Sequence, residues 1–171
     1  AAIHPARHRT PLLIAGPHAE EISPLLRELE MQLSVVGPET GSAAAIKMIR
    51  SVMIKGIEAL TLECFLAAAR AGVLDEVTTS LKNNYPTLDW GQIADYNLER
   101  MASHGTRRAA EIEESAATLR ELGLDPLMVQ STVERQREMG TIGKLETVRA
   151  ALNSGRAAIL SAINAATKSR H

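Results

Sequence analysis

The spacing of apolar residues changes near residue 37 of this chain. Before that point, two short apolar runs, PLLIAG at 11–16 and LSVVG at 33–37, flank a stretch at 19–31 whose apolar side chains recur at helical spacing. Short apolar runs are typical of buried strands, so the pattern predicts a β–α–β unit with parallel strands. Two strands do not make an independent parallel sheet, because both faces of such a sheet need cover.

After residue 37, helical spacing dominates and strand signals almost vanish. The predicted helices cover 42–71, 76–83, 89–101 (or 87–101), 106–122, 125–139 and 144–168, the last with a break near NSG. The segment SHG at 103–105 predicts an interruption, and Asp125 followed by Pro126 predicts a helix start with aspartate as its N-cap. The sequence therefore predicts a mainly α fold, with a β–α–β segment at 1–38 and an all-α domain at 39–171.

The predicted helix at 42–71 is apolar around most of its circumference. Its first half nevertheless carries four charged residues: Lys47, Arg50, Lys55 and Glu58. At about 100° per residue, these four and Ser51 share one sector of the helix. Two interpretations are open, since such a stripe either faces water or lines a cleft. In a partly dry cleft, a lysine has a lowered pKa and exchanges protons near neutral pH.

Lys47 is the stronger candidate for proton transfer within this stripe. It lies near the predicted helix N-terminus, where Gly41 permits a sharp turn and where anions are favoured. Ser51, one turn further on, would supply a hydroxyl group. Lys55 lies deeper in the helix and has Glu58 three residues on, so we expect this carboxylate to neutralise it. A lysine paired in this way holds its proton and is a poor base.

A second group of polar residues lies in ASHGTRRAAE at 102–111. Two adjacent arginines, Arg107 and Arg108, suit a carboxylate or phosphate ligand because guanidinium groups bind such anions through paired hydrogen bonds. Both arginines are also at helical spacing from Glu111, so plain pairing along the helix is the alternative. His104 is interpreted either as a residue at a helix end or as a substrate ligand.

Composition and charge exclude several classes of function. The net charge of −1 gives no electrostatic case for nucleic acid or an acidic membrane surface, and no apolar run reaches the ~20 residues of a membrane span. Cys64 is the only cysteine, which excludes an intramolecular disulfide and favours a buried structural thiol. The two histidines of HPARHR at 4–9 have no cysteine or carboxylate set beside them, so we expect no metal site. No signal peptide or initiator methionine begins the sequence, so we expect a cytoplasmic protein or a piece of one.

The segment TGSAAAIKMIRS resembles the catalytic helix of the β-hydroxyacid dehydrogenase and 6-phosphogluconate dehydrogenase superfamily. The family pattern is a glycine, a small residue two places on and a lysine four places further, matched here by Gly41, Ala43 and Lys47. The family then has an asparagine where this chain has Ser51. The segment at 103–126 is similar to the C-terminal domain of poorly characterised bacterial NAD(P)-dependent members, although Arg107 and Arg108 stand where the typical family has a Lys-Asp pair.

The resemblance implies a 6-phosphogluconate dehydrogenase C-terminal-like helical domain, preceded by a β–α–β remnant of a Rossmann-type domain. It implies Lys47 as the general acid/base, a homodimer, and contacts to a small-molecule acid substrate from Ser51, Gly41, Arg107, Arg108 and His104. The parent enzyme would use NAD or NADP. No G-x-G-x-x-G follows a strand here, so we expect this chain alone neither to bind that cofactor well nor to turn over. The alternative function is a non-catalytic helical dimerisation or interaction module.

Overall fold

A computed structural model describes residues 7–168 and divides the chain into two compact units, Ala1–Arg50 and Ser51–His171. The first unit contains a 3-10 turn (Arg7–Arg9), strand β1 (Leu12–Ile14), helix α1 (Ala19–Glu28) and strand β2 (Leu33–Val35). The two strands pair in parallel, with Leu12 opposite Leu33 and Ile14 opposite Val35. The predicted β–α–β unit is therefore confirmed.

Few side chains of the first unit are buried. Among its described residues these are Thr10, Ala19 and Ser23. Five large apolar residues of β1 and α1 are instead exposed: Leu12, Leu13, Ile22, Leu25 and Leu29. A parallel sheet of two strands has nothing of its own to cover both faces, which accounts for this exposure.

Six helices follow β2 in the described part of the chain. They are α2 (Ser42–Ala71), α3 (Leu74–Asn84), α4 (Trp90–Glu121), α5 (Leu127–Ile142), α6 (Glu146–Ala151) and α7 (Arg156–Lys168). Helix α2 has the predicted limits, and Gly72 beyond it adopts a left-handed φ of +72°. The boundary between the two units falls inside this helix. The predicted break near NSG is confirmed between α6 and α7.

Two predictions about helix limits are wrong. The chain is not interrupted at 103–105, because α4 continues through Gly105 as one helix of 32 residues. A Cβ atom at Gly105 would overlap the backbone of Gln136 and Gly140, so this glycine permits close packing of α4 on α5. Helix α5 begins at Leu127 with Pro126 in the cap position and no side-chain cap, so Asp125 is not its N-cap.

The apolar core of the second unit is built from helices with few aromatic residues. The larger cluster joins α2, α4, α5, α6 and α7, and it includes Leu62, Phe65, Leu98, Met139 and Leu160. A smaller cluster joins α4 and α5 around Ile112, Ala116, Val129 and Val133. Cys64 packs beside the larger cluster but is half-buried, not fully buried as expected. No helix among residues 7–168 has the length and apolar character needed to cross a bilayer.

Candidate functional site

One face of α2 buries polar side chains against α4. Ser51, Lys55 and Glu58 recur at intervals of four and three residues, which places them on the same side of the helix. Only 5% of Lys55 and 1% of Glu58 are exposed. Burial of a charge is costly unless it is paired and hydrogen-bonded, so the partners of these residues decide what this face does.

Glu58 pairs with Arg108 of α4. Arg108 Nε donates to Glu58 Oε2 at 2.8 Å, and Arg108 Nη2 donates to Glu58 Oε1. Gln136 Nε2 of α5 donates to Glu58 Oε2 at 2.9 Å, and Arg100 Nε lies 3.7 Å from Glu58 Oε1. This fork of two hydrogen bonds is the geometry that guanidinium and carboxylate groups favour. The predictions that Glu58 neutralises Lys55 and that Arg108 pairs with Glu111 are therefore wrong.

Lys55 pairs with Glu111 instead. Its Nζ donates to Ser51 Oγ at 3.3 Å and lies 3.3 Å from Glu111 Oε2. Burial lowers the pKa of the Lys55 amine, and the Glu111 carboxylate opposes part of that shift. Burial raises the pKa of Glu111, but Lys55 and Arg107 outweigh it, so that the net shift is downward.

Arg107 extends this network to the surface of α4. Its Nη1 donates to Glu111 Oε1 at 2.7 Å, which confirms the predicted pairing across one helical turn. Arg107 is exposed, whereas only 3% of its neighbour Arg108 is exposed. Adjacent arginines point in different directions on a helix, and only Arg107 can meet a ligand from solvent without opening the α2–α4 contact.

A basic cavity of about 550 Å³ lies beside Arg107, where α4 meets the end of α5 and α6. His104, Lys144 and Arg149 also line it, and no aspartate or glutamate of the described chain does. His104 is in the middle of α4, so its interpretation as a helix-end residue is wrong. Ser51 and Arg108 do not line this cavity.

Lys47 and Gly41 belong to the first unit. Gly41 is exposed and adopts a left-handed φ of +97° directly before α2, as a sharp turn requires. Lys47 is also exposed, and no ion pair or hydrogen bond of its amine is found among residues 7–168. The two lysines of α2 thus differ, since Lys55 is buried and paired.

Comparisons with known proteins place these residues in a family. Residues 68–139 match a domain of unknown function, DUF1932. A conserved hypothetical protein from Sinorhizobium meliloti 1021 is 35% identical and superposes with a TM-score of 0.82, covering 96% of this chain and 55% of that protein. The conserved protein MTH1747, itself described as structurally similar to 3-hydroxyacid dehydrogenases, is 28% identical with a TM-score of 0.74. This chain is a domain of the hydroxyacid dehydrogenase-like superfamily.

The superfamily domain accounts for about half the length of its relatives. The match to MTH1747 covers 82% of this chain and 54% of that protein. An uncharacterised 28.5 kDa protein from the 7S RNA 5′ region of Methanothermus fervidus is 26% identical over 135 residues, which are 77% of this chain and 52% of that protein. Members of the superfamily typically use NAD(P).

The β–α–β unit of this superfamily member does not fit a dinucleotide. A dinucleotide-binding turn has three closely spaced glycines between a strand and a helix, and only Gly16 lies between β1 and α1. Its φ of +130° explains this glycine as a turn residue. Nor does any group of three or more His, Cys, Asp or Glu side chains within residues 7–168 have an arrangement that holds a metal ion.

Lys144 and Arg149 are the site residues that sequence reasoning missed. They lie more than thirty residues from Arg107 and reach it only through the packing of α5 on α4. A signal was present in the glycines of α5, because Gly140 and Gly143 are spaced as helix-packing residues. A Cβ atom at Gly143 would overlap the backbone of Ala102, which shows how closely the two helices approach.

Proposed function

We propose that this chain is the C-terminal catalytic and dimerisation domain of an NAD(P)-dependent oxidoreductase acting on a hydroxy acid or the related oxo compound. Membership of the superfamily supports the class of enzyme. The observation that carries the proposal is the exposed amine of Lys47, at the start of α2 and behind the left-handed turn of Gly41. The Gly41, Ala43 and Lys47 spacing is the family's catalytic pattern.

Lys47 Nζ is the proposed general acid/base for the hydroxyl oxygen of the substrate. A lysine does this work near neutral pH only when water is removed from its amine, which lowers its pKa. Closure of substrate and a cofactor domain over the exposed Lys47 would supply that desolvation. We assign Gly41 to the close approach of substrate. Ser51 accepts a hydrogen bond from Lys55, so in this proposal its hydroxyl orients Lys55.

The cofactor of the parent enzyme, NAD or NADP, would be held by residues outside the segment described above. Because Gly16 alone does not form a phosphate cradle, we expect this chain by itself to bind NADH and NADPH weakly and to be inactive. Calorimetry with the isolated chain measures this directly. Micromolar affinity for either nucleotide would contradict the assignment of cofactor binding to another domain.

Lys47→Ala in the full-length protein tests the catalytic assignment. NAD(P)H turnover with a panel of hydroxy and oxo acids should fall by several orders of magnitude, while NAD(P)H affinity remains unchanged. Lys82→Ala is the matched control, because Lys82 is an exposed helical lysine of α3. Retained turnover in Lys47→Ala would reject the role and leave Lys55 as the next lysine of α2 to test.

A homodimer is also proposed, and one observation favours it. Helices α2 and α5 border an apolar cavity of about 350 Å³ lined by Met53, Ile57, Leu60 and Met128. Met53 is 64% exposed and Met128 67% exposed, which is unusual for large apolar side chains grouped together. A second copy covering this face would bury them, as isologous interfaces do.

Sedimentation of the wild-type chain and of Met53→Glu tests the dimer. We expect a dimer that the glutamate dissociates, while Met31→Glu, outside this cavity, leaves assembly unchanged. A wild-type monomer at micromolar concentration would reject the proposal. A stable dimer whose full-length parent shows no turnover would instead favour the alternative function, a non-catalytic helical dimerisation or interaction module.

A further inference from the structure

The basic cavity beside α4 gathers cations from three separate elements. His104 and Arg107 come from α4, Lys144 follows α5, and Arg149 comes from α6. The chain as a whole has 19 lysines and arginines against 20 acidic residues, so this local excess is not a property of the composition. Like charges held close together repel one another, and an anion is what relieves that repulsion.

These cations lack competing carboxylates. No ion pair is found for His104, Lys144 or Arg149 among residues 7–168. Arg107 is engaged only at Nη1, which donates to Glu111, so its Nε and Nη2 remain for another acceptor. The arrangement differs from the exposed pairs elsewhere on this unit, such as Arg137 with Glu113 and Arg156 with Asp95, where each arginine already has its carboxylate.

The backbone beneath the cavity is held firmly. Gly105 and Gly140 bring α4 and α5 into direct backbone contact, and Gly143 packs on Ala102 one turn further along. Val148, next to Arg149 in the sequence, is fully buried in the larger core cluster. The Cα positions that carry the four side chains are therefore fixed before a ligand arrives, and this lowers the entropy lost on binding.

We propose that this cavity binds a small-molecule anion with at least two negative charges. Two guanidinium groups, an ammonium group and an imidazole offer donors to several acceptor oxygens, which suits phosphate or polycarboxylate groups and not a monovalent ion. A volume of about 550 Å³ is in the range of small-ligand sites. The proposal goes beyond the oxidoreductase activity, because it does not require Lys47 to be catalytic.

Calorimetric titration of the full chain with pyrophosphate and with citrate, at constant ionic strength, tests the site. At least one of the two should bind saturably, while acetate should not, and the stronger of them distinguishes phosphate from carboxylate chemistry. Arg149→Ala and Lys144→Ala should each weaken that binding about tenfold or more, because each removes a charge-assisted contact. The matched controls Arg120→Ala and Lys82→Ala, which remove exposed charges elsewhere, should leave it unchanged.

Folding is monitored separately so that a negative result stays informative. All four substituted residues are exposed, so unfolding midpoints without ligand should match the wild type. The ligand that binds should also raise the wild-type Tm, and it should do so less in Arg149→Ala. Absence of saturable binding at millimolar pyrophosphate and citrate would overturn the proposal, and so would equal weakening in the Arg120→Ala or Lys82→Ala controls.

Discussion

The two parts of helix α2 carry similar polar residues in opposite surroundings. Within 42–50 no residue is buried, and both Lys47 and Arg50 are exposed. Within 51–71 eight residues are buried, and Lys55 is among them. A helical wheel puts all these charges in one sector, so periodicity alone assigns them the same fate.

What separates the two parts is the chemistry of the helix packed against the second one. Helix α4 presents Arg108 to Glu58 and Glu111 to Lys55. A buried charge is tolerated when a partner and further hydrogen bonds satisfy it, and it is strongly destabilising when that partner is removed. Charges in an otherwise buried helix therefore indicate complementary charges on a neighbouring helix.

Arg108→Met tests this comparison with the largest expected effect on stability. The substitution leaves the Glu58 carboxylate 1% exposed with only Gln136 and the more distant Arg100 to compensate it. Chemical denaturation at neutral pH should show a loss of about 3–5 kcal/mol in the free energy of unfolding.

The neighbouring residue supplies the control for that measurement. Arg107→Met removes the same kind of charge from an exposed position, where loss of the Glu111 pair should change the unfolding free energy by less than about 1 kcal/mol. The double variant Glu58→Leu, Arg108→Met should recover much of the loss, because an apolar pair of similar volume needs no compensation. Equal losses in Arg107→Met and Arg108→Met would mean that burial does not distinguish the two arginines.

Gly105→Ala should have the next largest effect. Its new Cβ would lie 2.5 Å from Gln136 O and still closer to Gly140 N, so α4 and α5 would have to separate. Overpacking of this kind costs about 1–3 kcal/mol. Gly56→Ala in α2 is the control, because nothing lies within 4 Å of the added atom and alanine favours a helix. A stability gain in both variants would show that α4 and α5 do not depend on the glycine contact.

The same glycine shows how far the sequence predicts this fold. Local periodicity predicts the β–α–β unit and the limits of α2, because both depend on residues near in sequence. It is misled at Gly105, since a glycine that permits close packing and a glycine that ends a helix have the same local pattern. The structure tells them apart through Gly140, which lies 35 positions further along the chain.

The candidate site follows the same rule. The Arg107–Glu111 pair spans one helical turn, and its spacing predicts it correctly. The Arg108–Glu58 pair spans 50 positions, and no spacing rule connects them. Sequence reasoning paired Glu58 with Lys55 because both lie on α2, whereas packing against α4 offered each of them a better partner. Lys144 and Arg149 are equally distant from Arg107, so the basic cavity emerges only in the folded chain.

Lys55→Met, compared with Arg50→Met, should give the smallest change at neutral pH and the clearest dependence on pH. Methionine fills the space of the lysine stem without a charge to desolvate, so the unfolding free energy should change by less than about 1.5 kcal/mol in either variant. Their difference should appear when denaturation is repeated across the pH range.

The sign of that dependence follows from the two shifted groups. Burial lowers the pKa of Lys55 below 10.5, so between its folded pKa and 10.5 the unfolded chain binds more protons and wild-type stability rises with pH. The pKa of Glu111 is lowered below 4.5, partly by Lys55, so the stability it contributes is lost as pH falls through its folded pKa. Lys55→Met removes the first effect and weakens the second. The advantage of wild type over Lys55→Met should therefore grow with pH in both windows, while its advantage over Arg50→Met stays flat. Parallel profiles for the two variants would contradict the burial of Lys55 beside Glu111, and with it the contrast between the two parts of α2.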